Sequence, residues 1–391
     1  MSDRESAAVA MTEEERLVAS LPLRKKVLYA VIASLLAICG LLVLAELACR
    51  LLPINEGLRT LPVNAENPIY RFEPNRTSSW SRDWNFSIVN RVRVNNAGFV
   101  NDQDYVREGQ RPLLAVIGDS YIEAGMVPYG ETVQGRLAAA WGDRGRVYSF
   151  AASGAGLTQY LTWAEHARDT YRPDSYLFLN IANDFAESLY HRGRSPGFHH
   201  FVRLPDDRAE VRRVDYQPTL LRRLARHSAL AMYLVLNVKI EQVVKLNLKE
   251  LGAPTQRWAA NIQRDGTQEE YADYEWAART FLDRLPAATG VAPDRIVIAI
   301  DGMRDAIYEP SEADVLMDSV WGRMRRFVAV EAGKRGFKVI DMHPVFETAY
   351  RSDGRRFEFP SDTHWNGHAH GLLAEAAKVA VGVPAPANAK R

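Results

Sequence analysis

The chain has 391 residues, 47% hydrophobic and 25% charged, with 49 Lys and Arg against 48 Asp and Glu and a formal net charge of +1. That profile belongs to a folded globular protein and excludes a disordered chain or one drawn to nucleic acid by its overall charge, so any anionic ligand would have to be met by a local patch. The length suits one large domain with additional segments.

Residues 1–26 read as a short, charged cytoplasmic tail. The next nineteen residues, Val27 to Ala45, carry no charge. At about 1.5 Å rise per residue a helix of this length crosses most of a bilayer core, so the stretch reads as one transmembrane anchor. Arg24, Lys25 and Lys26 precede it and Glu46 follows it. The positive-inside rule therefore puts the N-terminus in the cytoplasm and the rest of the chain outside, which for a bacterial inner membrane means the periplasm. A cleaved signal peptide, the main alternative, has a shorter apolar region of about 7 to 15 residues and a small-x-small site. Glu46-Leu47-Ala48 does not make Cys49 a lipoprotein site. Both cysteines, Cys39 and Cys49, lie in or beside the anchor, leaving the exported part without a thiol, which suits an oxidising compartment.

Residues 46–110 read as a periplasmic connector packed on the domain. Arg91-Val92-Arg93-Val94 alternates as an edge strand would, and Asn95-Asn96-Ala97-Gly98 supplies a turn. In residues 111–391 the pattern changes to short apolar runs separated by helical stretches, the mark of a parallel sheet flanked by helices. The predicted strands are Leu113 to Ile117, Val147 to Ala151, Tyr176 to Ala182, Ile296 to Ile300 and Lys338 to Met342. Helical spacing occupies Thr132 to Trp141, Thr158 to Thr170, Asp314 to Ala332 and Gly367 to Ala380. The expected fold is α/β, a three-layer α/β/α sandwich with active groups at the carboxyl ends of the strands.

Residues 186–290 are too long for an ordinary connection and read as an insertion. Its first part is rich in arginine (Arg192, Arg194, Arg203, Arg208, Arg212, Arg213, Arg222, Arg223, Arg226). Ser228 to Ile240 then supplies thirteen mostly apolar residues, too few for a membrane span. A helix packed on the domain is the plain reading; a membrane-surface helix and a face for an anionic glycan are the alternatives.

Gly118-Asp119-Ser120 follows the first predicted strand directly, so the Ser120 hydroxyl would stand exposed at a strand end on a rigid backbone. A serine hydroxyl needs a base to take its proton, and the base needs a group to orient it. Asp362-Thr363-His364, just before the last helix, offers both. After the second strand, Gly154 lets a backbone N–H approach a developing oxyanion, and after the third, Asn183 can donate a side-chain N–H to it. Taken singly, Gly154 also suits a tight turn and Asn183 a helix cap, and His368 and His370 near the base suit a surface helix.

These four segments, in this order over roughly residues 113–380, resemble the four motif blocks of the SGNH/GDSL hydrolase superfamily. The resemblance implies Ser120 as nucleophile, His364 as base and Asp362 as its partner. It further implies an oxyanion hole from Ser120, Gly154 and Asn183, with no metal and no dissociable cofactor. Tyr121 stands where leucine is usual after the nucleophile, and Ile181 where the third block commonly has glycine. The acid and base are two residues apart where most of the superfamily has three. Similar Asp-x-His-Trp segments occur in periplasmic relatives that acetylate alginate and other exopolysaccharides. That subgroup implies O-acetyl transfer through an acyl-serine, with an acylated donor, a glycan acceptor and polysaccharide biosynthesis proteins as partners. A carbohydrate or lipid esterase and a non-catalytic glycan-binding or assembly protein are the alternatives, because fold does not fix function.

Overall fold

The computed structural model describes residues 21–240 and 266–382. Most of the predicted cytoplasmic tail, residues 241–265 of the predicted insertion, and the chain beyond residue 382 lie outside the described residues. Helix α1, Leu23–Arg50, extends the uncharged run by about a turn at each end; its apolar side chains are exposed, and it is long and apolar enough to cross a membrane. An antiparallel hairpin follows, β1 (Arg76–Arg82) with β2 (Ile88–Val94), in register Arg82 to Ile88. Val92 and Val94 face inward and Arg91 outward, the alternation that Arg91 to Val94 shows in sequence.

The centre is a five-stranded parallel sheet of β3 (Leu113–Gly118), β4 (Arg146–Ala151), β5 (Ser175–Asn180), β8 (Ile296–Ile300) and β9 (Lys338–Asp341), in the order β4-β3-β5-β8-β9. Between β5 and β8 a separate hairpin pairs β6 (His199–Arg203) with β7 (Ala209–Arg213). Alternation along β3 sends Leu113, Ala115 and Ile117 to one core and Leu114 and Val116 to the other. The first core is covered by α3 (Leu157–Tyr171), α4 (Gln268–Thr289) and α5 (Val320–Lys334). The second is covered by α2 (Val133–Trp141), α6 (Met342–Asp353) and α7 (Gly367–Ala380). This is the three-layer α/β sandwich expected from the apolar runs.

Three details depart from the sequence reading. The third strand stops at Asn180 rather than Ala182, because Asp184 Oδ2 accepts from the Ile181 N–H at 2.9 Å and turns the chain. The predicted helix Asp314 to Ala332 is broken at Ser319, whose hydroxyl caps α5 by accepting from Gly322 N at 3.2 Å. Within residues 186–290, α4 is one of the three helices that cover the first face of the sheet. It opens on a capping box between Thr267 and Glu270 and buries Tyr274, Ala277, Phe281 and Leu285 in the main core.

Most of the arginines at 192–213 are matched locally. Arg192 pairs with Glu270 and Asp273, Arg203 with Asp207, Arg208 with Asp206, Arg212 with Glu210 and Arg213 with Asp215. The β6–β7 hairpin is therefore a mixed-charge surface, not a bare cationic face. The apolar stretch from Ser228 forms short helical turns (Ala229–Met232 and Tyr233–Asn237) packed against the end of α1 and against β1.

Candidate active site

Strand β3 lies between β4 and β5, so the chain leaves it first to one side and then to the other. In an open parallel sheet that reversal opens a crevice at the carboxyl ends of the strands. Ser120 sits there. A Cβ on Gly118 would come 2.5 Å from Ile122 Cγ1, so glycine is what lets the next turn fold back over the strand end. Asp119 then caps the turn Ser120–Glu123 by accepting from Tyr121 N at 2.9 Å.

The opposite wall is a small hairpin of β10 (Glu358–Phe359) and β11 (Asp362–Trp365), directly before α7. Residues two apart in a strand share a face, so the Asp362-Thr363-His364 spacing puts carboxylate and imidazole side by side without an extra residue. His364 Nδ1 lies 2.5 Å from Asp362 Oδ1, and His364 Nε2 lies 2.9 Å from Ser120 Oγ. The structure thus brings Ser120, His364 and Asp362 into one hydrogen-bonded run.

That run is clamped from several sides. The Asp362 side chain is 1% exposed, and its second oxygen accepts from Arg82 Nη1 at 2.6 Å. Burial alone would raise the Asp362 carboxyl, but the His364 hydrogen bond, charge and backbone N–H, with Arg82, outweigh it and hold the group below the usual carboxylate range. Arg304, fully buried, donates to the Thr363 carbonyl at 2.8 Å and to Tyr121 Oη at 2.8 Å. Trp365 Nε1 donates to Asp301 at 2.9 Å, which pins the end of β11 to the end of β8. Tyr121, the residue where leucine is usual, packs its ring 5.0 Å from the His364 ring centre and 5.6 Å from that of Trp365.

The Ser120 hydroxyl has a second partner, Asp119 Oδ2 at 2.9 Å. One hydroxyl has one proton, so Asp119 and His364 compete for it. Burial raises the Asp119 carboxyl above its ordinary value, against the Tyr121 N–H bond and the His364 charge.

Gly154 follows β4 with φ of +83°, a left-handed conformation that side chains rarely adopt. Its neighbour Ser153 is held by Glu123, which accepts from the Ser153 N–H at 2.8 Å and the hydroxyl at 3.1 Å. Burial pushes the Glu123 carboxyl up to about 7 despite those two bonds. Asn183 follows β5, and its Nδ2 donates to Glu187 Oε2 at 2.8 Å. An amide nitrogen carries two hydrogens, so this bond orients Asn183 and leaves one donor over. Burial, and then the nearby Asp119, push Glu187 up to about 8. Gly154 and Asn183 thus stand on the loops after the strands flanking β3, joined to the triad by topology and not by a hydrogen bond.

Sequence reasoning missed Arg82, Glu123, Glu187 and Arg304. Glu358, the other carboxylate of this hairpin, is engaged elsewhere, by Tyr308 Oη at 2.7 Å and Arg356 Nε at 2.6 Å. His370 is not a surface residue: it is buried, and its Nδ1 accepts from Val133 N at 3.3 Å. Among the described residues, no three His, Cys, Asp or Glu side chains are grouped to hold a metal ion.

No protein-family model and no curated protein matches the sequence. Solved structures do. An α/β hydrolase from the metagenome of Lake Arreo, Spain, is 14% identical with a TM-score of 0.38, over 72% of this chain and 100% of that one. A member of the lipolytic G-D-S-L family from Veillonella parvula is 13% identical with a TM-score of 0.34, over 68% and 95%. A catalytic mutant of an acetylxylan esterase from Geobacillus stearothermophilus is 12% identical with a TM-score of 0.37, over 71% and 97%. At these values the likeness carries no inference about chemistry, which rests on the residues of this chain.

Proposed function

We propose that the chain is a serine-dependent ester hydrolase or O-acyltransferase. The observation that carries this reading is the hydrogen-bonded run Ser120, His364, Asp362 at the switch point of the sheet. Ser120 Oγ attacks the acyl carbonyl while His364 Nε2 takes its proton. The oxygen that becomes negative is met by the N–H groups of Ser120 and Gly154 and the spare Nδ2 hydrogen of Asn183, each such donor being worth roughly 3 kcal/mol in the transition state. His364 returns the proton to the departing alkoxide, leaving an acyl-serine. Water or a sugar hydroxyl then attacks it, with His364 again as base. Asp362 fixes the ring and balances its charge, and Arg82 holds the second oxygen of Asp362.

The finer reading is O-acetyl transfer to a cell-surface or secreted polysaccharide, by a catalytic domain that α1 anchors outside the cytoplasm in a bacterial inner membrane. Its support is the Asp-x-His-Trp form of the last block and the apolar α1. The self-paired hairpin arginines remove one reason for expecting an anionic glycan. The test supplies an activated acetyl ester with and without candidate oligosaccharides and follows acetate and acetylated sugar by mass spectrometry. Transfer that grows with acceptor supports the finer reading; acetate release indifferent to every sugar leaves a carbohydrate or lipid esterase. Binding of glycan with neither product would favour the non-catalytic role.

A further inference from the structure

Where α1 ends, a cavity of about 260 Å³ opens between it, β1 and the segment after residue 225. Four guanidinium groups line it, from Arg50, Arg59, Arg76 and Arg226, together with apolar Leu52 and Met232. Carboxylates answer three of them: Glu46 meets Arg50 at 2.8 Å, Glu73 meets Arg59 at 3.4 Å and Glu56, also on the wall, meets Arg76 at 3.3 Å. Arg226 has no hydrogen-bond or ion-pair partner for its guanidinium among the described residues, and Arg59 Nε is a buried donor with no acceptor. Burial, with Arg222, Arg59 and Arg76 nearby, holds Arg226 below the usual guanidinium value. One guanidinium without an acceptor, Arg226, beside the open Nε of Arg59 leaves the cavity with cationic donors in excess of its carboxylates, and guanidinium forks match phosphate.

The setting says which phosphate. Glu46 of α1 accepts from Ser228 Oγ at 2.8 Å, Ala229 N at 3.1 Å and Leu230 N at 2.9 Å, and Arg50 donates to the His227 carbonyl at 3.3 Å. The end of α1 is therefore built into the domain, and cutting it away would strip these partners from residues 227–230. Just outside the cavity, Leu51 is 87% exposed, and the helical turn Leu220–Ala225 exposes Leu220, Leu221 and Leu224 beside Arg222 and Arg223. Exposed leucines among arginines at the mouth of a membrane-crossing helix are the composition of an interfacial surface.

We propose that this cavity binds the phosphate headgroup of an anionic phospholipid from the leaflet facing the catalytic domain. The lipid would fix the stance of that domain on the bilayer. Ser79 of β1 lies on the cavity wall, and Arg82 at the end of the same strand holds Asp362, so one strand joins the lipid site to the triad. The proposal rests on α1 being embedded and is independent of the serine chemistry.

The test is native mass spectrometry of the full chain released from detergent micelles and titrated with phosphatidylglycerol, phosphatidylcholine or inorganic phosphate. Phosphatidylglycerol should be retained at one per chain, in preference to phosphatidylcholine. Arg226→Gln should weaken it by about tenfold, the loss of one guanidinium–phosphate contact. Met232→Trp, which fills the void without changing charge, should weaken it as much, while Arg223→Gln, outside the cavity, should change it less than twofold. Hydrolysis of a soluble ester by Arg226→Gln should be unaltered. Equal retention by wild type, Arg226→Gln and Met232→Trp would overturn the proposal, as would an Arg223→Gln effect matching that of Arg226→Gln. Inorganic phosphate binding as tightly as the lipid would replace it with a free-anion site. Should Arg226→Gln fail to fold, Met232→Trp decides the matter alone.

Discussion

Arg82 lies 280 residues from Asp362 yet donates to it at 2.6 Å, and replacing it by glutamine tests whether the N-terminal hairpin is part of the catalytic apparatus. A hydrogen bond between charged groups contributes about 1.5–3 kcal/mol. Arg82 is 26% exposed, so water would replace part of the bond and a stability loss of about 1–2 kcal/mol follows. The 2.5 Å contact between Asp362 and His364 should survive. Turnover should therefore fall by about tenfold, far short of the roughly 10⁴-fold expected when the carboxylate itself is neutralised in Asp362→Asn. The Asp362 carboxyl is held below its ordinary value, so its contribution to stability is present above the unfolded value of about 3.9 and lost as pH falls through the folded value. Without Arg82 the folded value moves up toward the unfolded one, and acid unfolding should begin at higher pH. The assay is kcat/KM on an activated acetyl ester for Arg82→Gln, Arg82→Lys and Asp362→Asn, with urea unfolding at pH 7 and pH 4. Arg82→Lys should recover part of the loss. A loss in Arg82→Gln as large as in Asp362→Asn, or no change in either rate or acid stability, would refute the reasoning.

Asn183→Ala should lower kcat by roughly 10²- to 10³-fold with little effect on unfolding, because it removes a donor needed only when the oxyanion forms. Glu123 is raised in the folded state, so folding loses stability as pH rises from the unfolded value toward about 7. Glu123→Gln keeps an acceptor for Ser153 and should stabilise the protein more at pH 8 than at pH 5, by up to about 3 kcal/mol, read by urea unfolding at both values. Equal effects at the two pH values would contradict the assignment. A reporter enzyme active only in the cytoplasm, fused after Arg391, should be silent; strong activity would reverse the orientation given to α1.

The strands at the centre of the sheet were legible because parallel strands buried on both faces read as unbroken apolar runs, and β3 and β8 do so. The last two members of the triad were legible as an acid and a base just before the last helix; that their spacing suits a strand came from β11. Helix α6 was not legible, since it begins at Met342 directly after Asp341, which both ends β9 and caps the helix by accepting from His343 N at 3.0 Å. Helix α4 carried its signal in the Thr267 to Glu270 box, near the end of the stretch read as an insertion. The acids at 206, 207, 210 and 215 likewise stood beside the hairpin arginines, and their pairing was readable once the hairpin register was known. Arg82, Glu123 and Arg304 had no local pattern to reveal them, because each acts across the fold on a residue that topology alone brings near.

In the proposed reaction Ser120 carries the acyl group. Full-length protein in detergent, mixed with an activated acetyl ester, quenched in acid within the first turnovers and mapped by peptide mass spectrometry, should show acetylation on the peptide containing Ser120. The label should be absent in Ser120→Ala and strongly reduced in His364→Ala, both folded by circular dichroism. Acetylation of another residue on the productive path, or near-normal ester turnover by Ser120→Ala, would contradict it.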